Sequence, residues 1–301
     1  MNPSHKPAAG PRSLIWLTAL LALTPALQAE DKKAAPAAEA PTEVGSAVCA
    51  SCHSEQAEKF AKTFHGRKAL SSKKLEKGCE SCHGPGSAHA AAAGDRNNPG
   101  FSTIKDPKRL KSVEASELCL SCHKDSKALT FWKTGSHAVN DLSCLKCHSV
   151  HEGEGRTSLA EGGTDTCLKC HSKQKADMRL PSHHPVPEGK MTCVSCHNPH
   201  GGIEGNLKAD SGEELCAKCH SEKVGPYAFE HAPVADGCNN CHAVHGSVND
   251  RLLKQAQPAL CMGCHVKEHS STTMPRLTAK VRCTDCHFEI HGSDRSSTFK
   301  N

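Results

Sequence analysis

The sequence predicts short α-helices and irregular chain, with little or no β-structure, arranged around bound groups instead of a side-chain core. Two observations lead to this prediction. Aromatic residues make up 3% of the 301 residues, and Tyr227 is the single tyrosine, although a chain of this length needs a large apolar interior. Cysteine and histidine number 20 and 22, far above ordinary globular usage. The segments between them are rich in Gly, Pro, Ser and Lys and have no long amphipathic period.

The first 29 residues are typical of a secretory signal peptide. Lys6 and Arg12 precede an apolar run from Leu14 to Leu27, and Ala29 is a suitable last residue before cleavage. The alternative, a membrane anchor, is disfavoured because the run is shorter than the ~20 residues of a spanning helix. We therefore expect export to the periplasm, an Ala/Pro-rich flexible linker over residues 30–45, and one domain over residues 46–301.

The formal net charge of the chain is small and does not identify a class of partner. It is +5, and it falls to +3 if Lys6 and Arg12 leave with the signal peptide. This small excess gives no argument for nucleic-acid binding.

One motif, Cys-x-x-Cys-His, occurs ten times and uses all twenty cysteines. The ten sites are Cys49, Cys52 and His53; Cys79, Cys82 and His83; Cys119, Cys122 and His123; Cys144, Cys147 and His148; Cys167, Cys170 and His171; Cys193, Cys196 and His197; Cys216, Cys219 and His220; Cys238, Cys241 and His242; Cys261, Cys264 and His265; and Cys283, Cys286 and His287.

The spacing within the motif matches covalent haem attachment. Two thiols three positions apart can form thioethers to the two vinyl groups of one haem, while the following imidazole reaches the iron. Zinc sites and disulfides also use Cys-x-x-Cys, but they do not require the histidine that follows in every case here. The sequence therefore predicts ten covalent haems c. Their propionates would add roughly twenty acidic groups, so we expect an acidic holoprotein.

The histidines outside the motifs supply sixth ligands for these irons. Ten haems need ten such ligands, and eleven histidines remain besides His5 of the signal segment, which favours bis-histidine ligation throughout. The adjacent pair His183 and His184 holds the surplus residue. The eleven are His65, His89, His137, His151, His183, His184, His200, His231, His245, His269 and His291.

The motifs form five two-haem modules that begin near residues 49, 119, 167, 216 and 261. Each module contains a motif, an internal histidine, a second motif and a closing histidine. Four internal histidines each follow the first proximal histidine of their module by 11 to 14 residues: His65, His137, His184 and His231. This spacing favours His184 over His183 as the internal histidine of the third module. The fifth module departs from it, because His269 lies four residues after His265 and Met274 is a sulfur competitor.

The closing histidines predict how the modules connect. A histidine three residues after a proximal ligand can hardly reach the opposite face of the same iron, so we expect it to ligate a neighbouring haem. Such cross-ligation holds successive haems close together. The sequence thus predicts a multihaem cytochrome c, with short helices and irregular chain wrapped on ten haems in an elongated chain. The insertion from Ala90 to Ser116 is expected to be a surface loop.

From Cys167 to Leu253 the residues closely resemble the periplasmic decahaem cytochromes of the MtrA, DmsE, PioA and MtoA type. The shared signatures are Lys173 to Met178, Cys-His-Asn-Pro-His-Gly ending at Gly201, Glu230 to Val234, and His245 to Asp250. The match is looser before Cys119 and after His265. The resemblance implies distal iron ligands at His65, His89, His137, His151, His184, His200, His231, His245, His269 and His291.

The resemblance also implies a function and partners. Members of that family lie inside an outer-membrane β-barrel porin (MtrB-like) and carry electrons between the periplasm and the cell exterior. Periplasmic or inner-membrane c-type cytochromes, and in some systems an outer-surface multihaem cytochrome, would exchange electrons with the chain. The alternatives are a periplasmic electron shuttle or store, and a multihaem reductase with one open haem site. No motif lacks its proximal histidine, so an enzyme is disfavoured.

Overall fold

The computed structural model describes residues 40–69, 75–153, 155, 157–265 and 282–300. The predicted signal peptide and most of the predicted linker lie outside the described residues. His269 and Met274, the uncertain pair of the fifth module, lie outside them as well.

The helices of the described chain are short, and the longest, Ser112–His123, has 12 residues. Gly and Pro interrupt any longer period, so single turns held by local caps prevail. Ser211, for example, accepts a hydrogen bond from the backbone N–H of Glu214 at a helix start. The α-helices are α1 Ser46–Cys52, α2 Ser54–Lys62, α3 Phe64–Ala69, α4 Glu80–His83, α5 Ser87–Ala91, α6 Ser112–His123, α7 Ser136–Val139, α8 Gly163–Leu168, α9 Ser172–Asp177, α10 Cys193–Cys196, α11 Gly212–His220, α12 Ala232–Ala235 and α13 Ala259–Met262.

Short 3₁₀-helices complete the helical part of the described chain. They span Pro99–Thr103, Lys127–Leu129, Trp132–Thr134, Cys144–Lys146, Ser221–Lys223, Cys238–Asn240, Asp250–Leu252 and Cys283–Asp285.

The two β-strands of the described residues form one antiparallel pair. Strand β1, Phe229–Glu230, pairs with β2, Gly292–Ser293, and joins segments more than sixty residues apart. Gly292 has φ of 148°, and a Cβ there would lie 2.0 Å from the ring of Tyr227, so this position requires glycine. The expectation of short helices with almost no sheet is confirmed for the described part of the chain.

Few apolar side chains are buried in the described residues. They are Ala92, Ala115, Leu120, Trp132, Met178 and Ala209. Three of these six are alanines, which bury little surface each. Such a small apolar core cannot offset the conformational entropy lost by so long a chain. The fold therefore needs a source of stabilisation other than the burial of apolar side chains.

Two segments are more closely attached to the domain than the sequence indicates. At the end of the predicted linker, the N–H of Thr42 donates to Ser87 Oγ at 2.8 Å, and the N–H of Ser87 donates to the Thr42 carbonyl at 3.0 Å. The insertion at residues 90–116 contains a 3₁₀-helix and the first turn of α6, and Phe101 packs on the ring of His89 with 5.1 Å between ring centroids. The interpretation of this insertion as a plain surface loop was therefore incomplete.

Candidate functional site

Each Cys-x-x-Cys-His motif forms one helical turn. In eight of them the backbone N–H of the histidine donates to the carbonyl of the first cysteine at 2.9–3.1 Å, and His123 and His220 end the helices α6 and α11. Residues three and four positions apart lie on the same side of such a turn. The two thiols and the imidazole of each motif therefore face one common volume.

Nine proximal histidines lie opposite a histidine from outside the motifs. The ring centroids of each pair are 5.9–6.4 Å apart, and the angles between ring planes run from 12° to 74°. The pairs are His53 with His89, His83 with His151, His123 with His65, His148 with His200, His171 with His137, His197 with His245, His220 with His184, His242 with His291, and His265 with His231.

This spacing fits a metal ion held between two imidazoles. Metal–nitrogen bonds of about 2 Å on each side, with about 1 Å from each nitrogen to its ring centre, put the centroids about 6 Å apart. Imidazole is the axial ligand type that haem iron accepts from histidine. The donor set and the distances therefore fit bis-histidine haem sites.

The pairs connect the modules reciprocally. The internal histidine of one module faces the first proximal histidine of the next, as His65 faces His123. The closing histidine of that next module faces the second proximal histidine of the module before it, as His151 faces His83. The same exchange recurs at each of the four junctions between modules. At the N-terminal end His89 faces His53 within the first module.

Backbone carbonyls orient many of these rings. The Nδ1 atoms of His83, His148, His242 and His287 donate to the carbonyls of Lys105, Thr157, Arg251 and Thr298 at 2.6–2.8 Å. Those of His89, His137 and His184 donate to Phe101, Pro199 and Val244 at 2.7–2.8 Å. A carbonyl can only accept, so Nδ1 carries the proton and Nε2 keeps its lone pair for a metal.

Burial favours the neutral form of several histidines outside the motifs. Burial, followed by the charge of the facing proximal histidine, lowers the pKa of His65, His200 and His245 below the usual value of 6.5. The buried Nδ1 atoms of His65 and His200 have no hydrogen-bond partner. Neutral imidazole is the form that binds a metal.

The cysteines of successive motifs also adjoin each other. In every module the first cysteines of the two motifs are in hydrogen-bond contact. Burial, and then the partner cysteine of the same module, raise the pKa of Cys167, Cys216 and Cys261 to about 11. Between modules, burial and then the second cysteine of the next motif raise the pKa of Cys82, Cys147, Cys196 and Cys241. The hydrogen-bonded pairs are Cys49 with Cys79, Cys119 with Cys144, Cys167 with Cys193, Cys216 with Cys238, and Cys261 with Cys283.

His183 occupies a different position from its neighbour His184. Its Nδ1 donates to the Leu180 carbonyl at 2.5 Å, and its Nε2 contacts Glu188 at 3.0 Å. The carboxylate of Glu188, and then the Leu180 carbonyl, raise the pKa of His183. Both ring nitrogens are thus used within the loop, whereas His184 faces His220.

Sequence reasoning missed a set of bridges that close the loop after the second motif. His148, His197 and His242 form antiparallel bridges with Leu159, Leu207 and Leu253. A leucine recurs ten or eleven residues after these three histidines, and this spacing was the available signal. The bridges carry the closing histidine on a tight loop and direct it towards the neighbouring module.

Within the described residues, no helix is both long and apolar enough to cross a lipid bilayer.

Comparison with known proteins agrees with this geometry. The family profile described as "Doubled CXXCH motif" matches residues 137–176, 183–225 and 231–270. Each matched segment contains the second motif of one predicted module and the first motif of the next. The profile therefore groups the motifs in pairs that are shifted by one motif from the predicted modules.

A curated relative extends the match. Multiheme cytochrome MtrA of Shewanella baltica (strain OS185) is 36% identical over 212 residues, which are 68% of this chain. The chain covers 61% of the length of that relative. Together with the paired Cys-x-x-Cys-His turns, this similarity supports the assignment of the chain to the MtrA-type multihaem c-type cytochromes.

Proposed function

We propose that the chain carries ten bis-histidine haems c and conducts electrons along them. The observation that carries this proposal is the series of nine facing histidine pairs, two of which join each module to the next. Haem supplies iron centres that accept and release single electrons. The chain tethers these centres in sequence order and keeps neighbours close, which electron transfer requires.

The residues have three roles in this proposal. The twenty cysteines tether the haems, and the motif histidines are the proximal ligands. Nine distal ligands are the histidines that face them across about 6 Å, the spacing that two metal–imidazole bonds produce. The reciprocal pattern leaves His287 for the tenth pair, and His269 is the remaining candidate of the distal set. The fifth module would then close on itself, as the first does through His89 and His53.

We further propose that the chain crosses the outer membrane inside a porin, for metal reduction or iron(II) oxidation at the cell exterior. Irregular backbone exposed to lipid would leave its polar groups unsatisfied, so passage across the membrane requires a surrounding barrel. The similarity to MtrA supports this location. Periplasmic or inner-membrane cytochromes would serve the inner end, and an outer-surface multihaem cytochrome could serve the outer end.

Reconstitution tests the conduit. Liposomes that enclose an electron acceptor are prepared with the porin–cytochrome complex, with the porin alone, or with the cytochrome alone, and a membrane-impermeant reductant is added outside. We expect reduction of the enclosed acceptor only with the complex. Isolation of the cytochrome as a porin-free monomer from gently solubilised outer membranes would contradict the proposal.

The second candidate is a periplasmic shuttle, which uses the same haems without a barrel. Small-angle X-ray scattering of the haem-loaded protein separates the two. A compact globule of 272 residues has a radius of gyration of about 18 Å. A rod longer than the ~40–45 Å bilayer supports the conduit, whereas a near-spherical particle supports the shuttle.

A further inference from the structure

Glu80 occupies an unusual position in the second motif. The residue after the first cysteine is uncharged in the other nine motifs and acidic here. It is also a buried residue, with 6% of its surface exposed. A carboxylate in such a place needs partners, because burying a charge without them costs far more than burying a neutral group.

The partners of the Glu80 carboxylate are backbone N–H groups. Val44 donates to Oε1 at 2.9 Å and to Oε2 at 3.2 Å, Gly45 donates to Oε2 at 2.8 Å, and Gly86 donates to Oε1 at 2.8 Å. Both oxygens therefore accept, and donors only are directed at them. A protonated carboxyl would point a proton at one of these donors, so the arrangement selects the ionised form.

The direction of the pKa shift of Glu80 agrees with an ionised carboxylate. Burial alone would raise its pKa, but the N–H groups of Val44, Gly45 and Gly86, followed by the charge of Lys77, outweigh burial and lower it. Lys77 itself forms an ion pair with Glu43 at the surface. The Glu80 charge is thus stabilised mainly by backbone N–H groups, with a smaller contribution from Lys77.

This charge lies beside the tethers of two haem sites. Glu80 directly follows Cys79 in the chain, and its carboxylate is close enough to Cys49 to raise the pKa of that thiol, after the effects of burial and of Cys79. The first cysteines of the first and second motifs therefore share one buried anion. Ser46 Oγ, which accepts from the N–H of Cys79 at 3.1 Å, joins α1 to this turn.

We propose that Glu80 sets low reduction potentials at the first two haem sites and fastens Val44 and Gly45 to the turn of the second motif. An oxidised haem iron carries one more positive charge than a reduced one, so a nearby buried carboxylate stabilises the oxidised state. In low-dielectric surroundings this effect is much stronger than that of a carboxylate in water. The inference rests on the proposed haem sites and adds a residue that distinguishes the N-terminal pair from the rest.

The test is a redox titration of the full haem-loaded protein and of Glu80→Gln, followed by haem absorption. Glutamine retains one acceptor oxygen and the side-chain shape but removes the charge. We expect the midpoint potentials of one or two of the ten haems to rise and the remainder of the titration curve to superimpose on the wild type.

Two control variants separate charge from structure. Glu117 lies two residues before Cys119, and its half-exposed carboxylate forms an ion pair with Lys133 at 2.9 Å. Glu117→Gln removes this charge and should leave the titration curve unchanged, because solvent screens the charge. Ser87→Ala loosens residues 42–45 by removing the hydrogen bond from Thr42 while Glu80 keeps its charge, and it should also leave the potentials unchanged.

The outcomes are distinct. A Glu80→Gln curve that superimposes on the wild type, or a Ser87→Ala shift of equal size, would overturn the proposal. Haem content and ligation of the unmodified protein, measured separately, test the proposed function itself. A failure of that function would appear as missing haems in the wild type, independently of any shift in Glu80→Gln.

Discussion

The ring of His151 faces that of His83, 68 positions earlier in the chain, with 6.0 Å between ring centroids. His148, only three positions from His151, faces His200 instead, at 6.0 Å. His151 therefore faces a histidine of the preceding predicted module, whereas His148 faces one of the following module. Facing pairs of both kinds recur at the four junctions between predicted modules.

Replacing His151 should therefore affect the site of His83 and not that of His148. We expect His151→Ala to leave one haem in ten without a sixth ligand. Low-temperature EPR of the oxidised protein should then show about one high-spin ferric centre per chain, and the reduced protein should bind one carbon monoxide.

The affected site can be assigned with a second set of changes. Adding Cys79→Ala and Cys82→Ala to His151→Ala removes the predicted haem, so the high-spin signal should disappear. Adding Cys144→Ala and Cys147→Ala should leave the signal in place. The reverse result would show that His151 serves the site of His148 and would break the cross-module pattern.

The adjacent histidines His183 and His184 form a matched pair for mutagenesis. His184→Ala should produce one high-spin centre, because it removes the ring that faces His220 at 6.4 Å. His183→Gln should keep all haems low-spin, because both nitrogens of His183 are used by Leu180 and Glu188. EPR of the two variants checks this, and a high-spin signal in His183→Gln would reverse the choice between them.

The last module gives a prediction for residues outside the described part of the chain. His269 is the proposed distal ligand for the remaining proximal histidine, His287, so His269→Ala should create one high-spin centre. Met274→Leu is the control and should leave every haem low-spin. If Met274→Leu alone changes the near-infrared charge-transfer band that marks methionine ligation, the tenth site has a His/Met ligand set.

Glu80 should make the stability of the domain depend on acidity. Its native pKa is lowered by backbone N–H groups and Lys77 against the opposing effect of burial, from a usual value of 4.5. The native state therefore takes up a proton at lower pH than the unfolded chain does. The stability that the carboxylate supplies is present above the unfolded value and is lost as the pH falls through the native one.

The midpoint of thermal unfolding measures this effect. Between neutral pH and about pH 3, the wild type should lose more stability than Glu80→Gln, in which this titration is absent. Glu117→Gln, at an exposed position, should follow the wild type. Parallel acid profiles for the wild type and Glu80→Gln would exclude a stabilising native carboxylate.

The local chemistry proposed for the sites follows from the sequence alone. A Cys-x-x-Cys-His turn is a local unit, because one helical turn presents all three side chains to the same side. The count of spare histidines likewise needs no fold. Short helices and scarce β-structure followed from the Gly and Pro content and from the lack of an amphipathic period.

Long-range contacts were beyond such reasoning. The sequence predicts that closing histidines bind neighbouring haems, but it does not say which histidines face each other. His137 and His171, for example, face each other only because two modules pack together. The carbonyls of Phe101 and Lys105 orient His89 and His83 through backbone atoms, which side-chain patterns do not encode. Side-chain patterns also predict a flexible linker up to residue 45, although the backbone N–H groups of Val44 and Gly45 donate to Glu80.

Spin-counted EPR of the oxidised, haem-loaded protein tests the central claim most directly. Ten irons per chain, all low-spin, are predicted, with signals from both near-parallel and near-perpendicular axial rings, since His242 and His291 lie at 12° and His123 and His65 at 74°. Fewer than ten haem spins per chain, or a native high-spin signal from one of them, would contradict a continuous chain of ten bis-histidine haems.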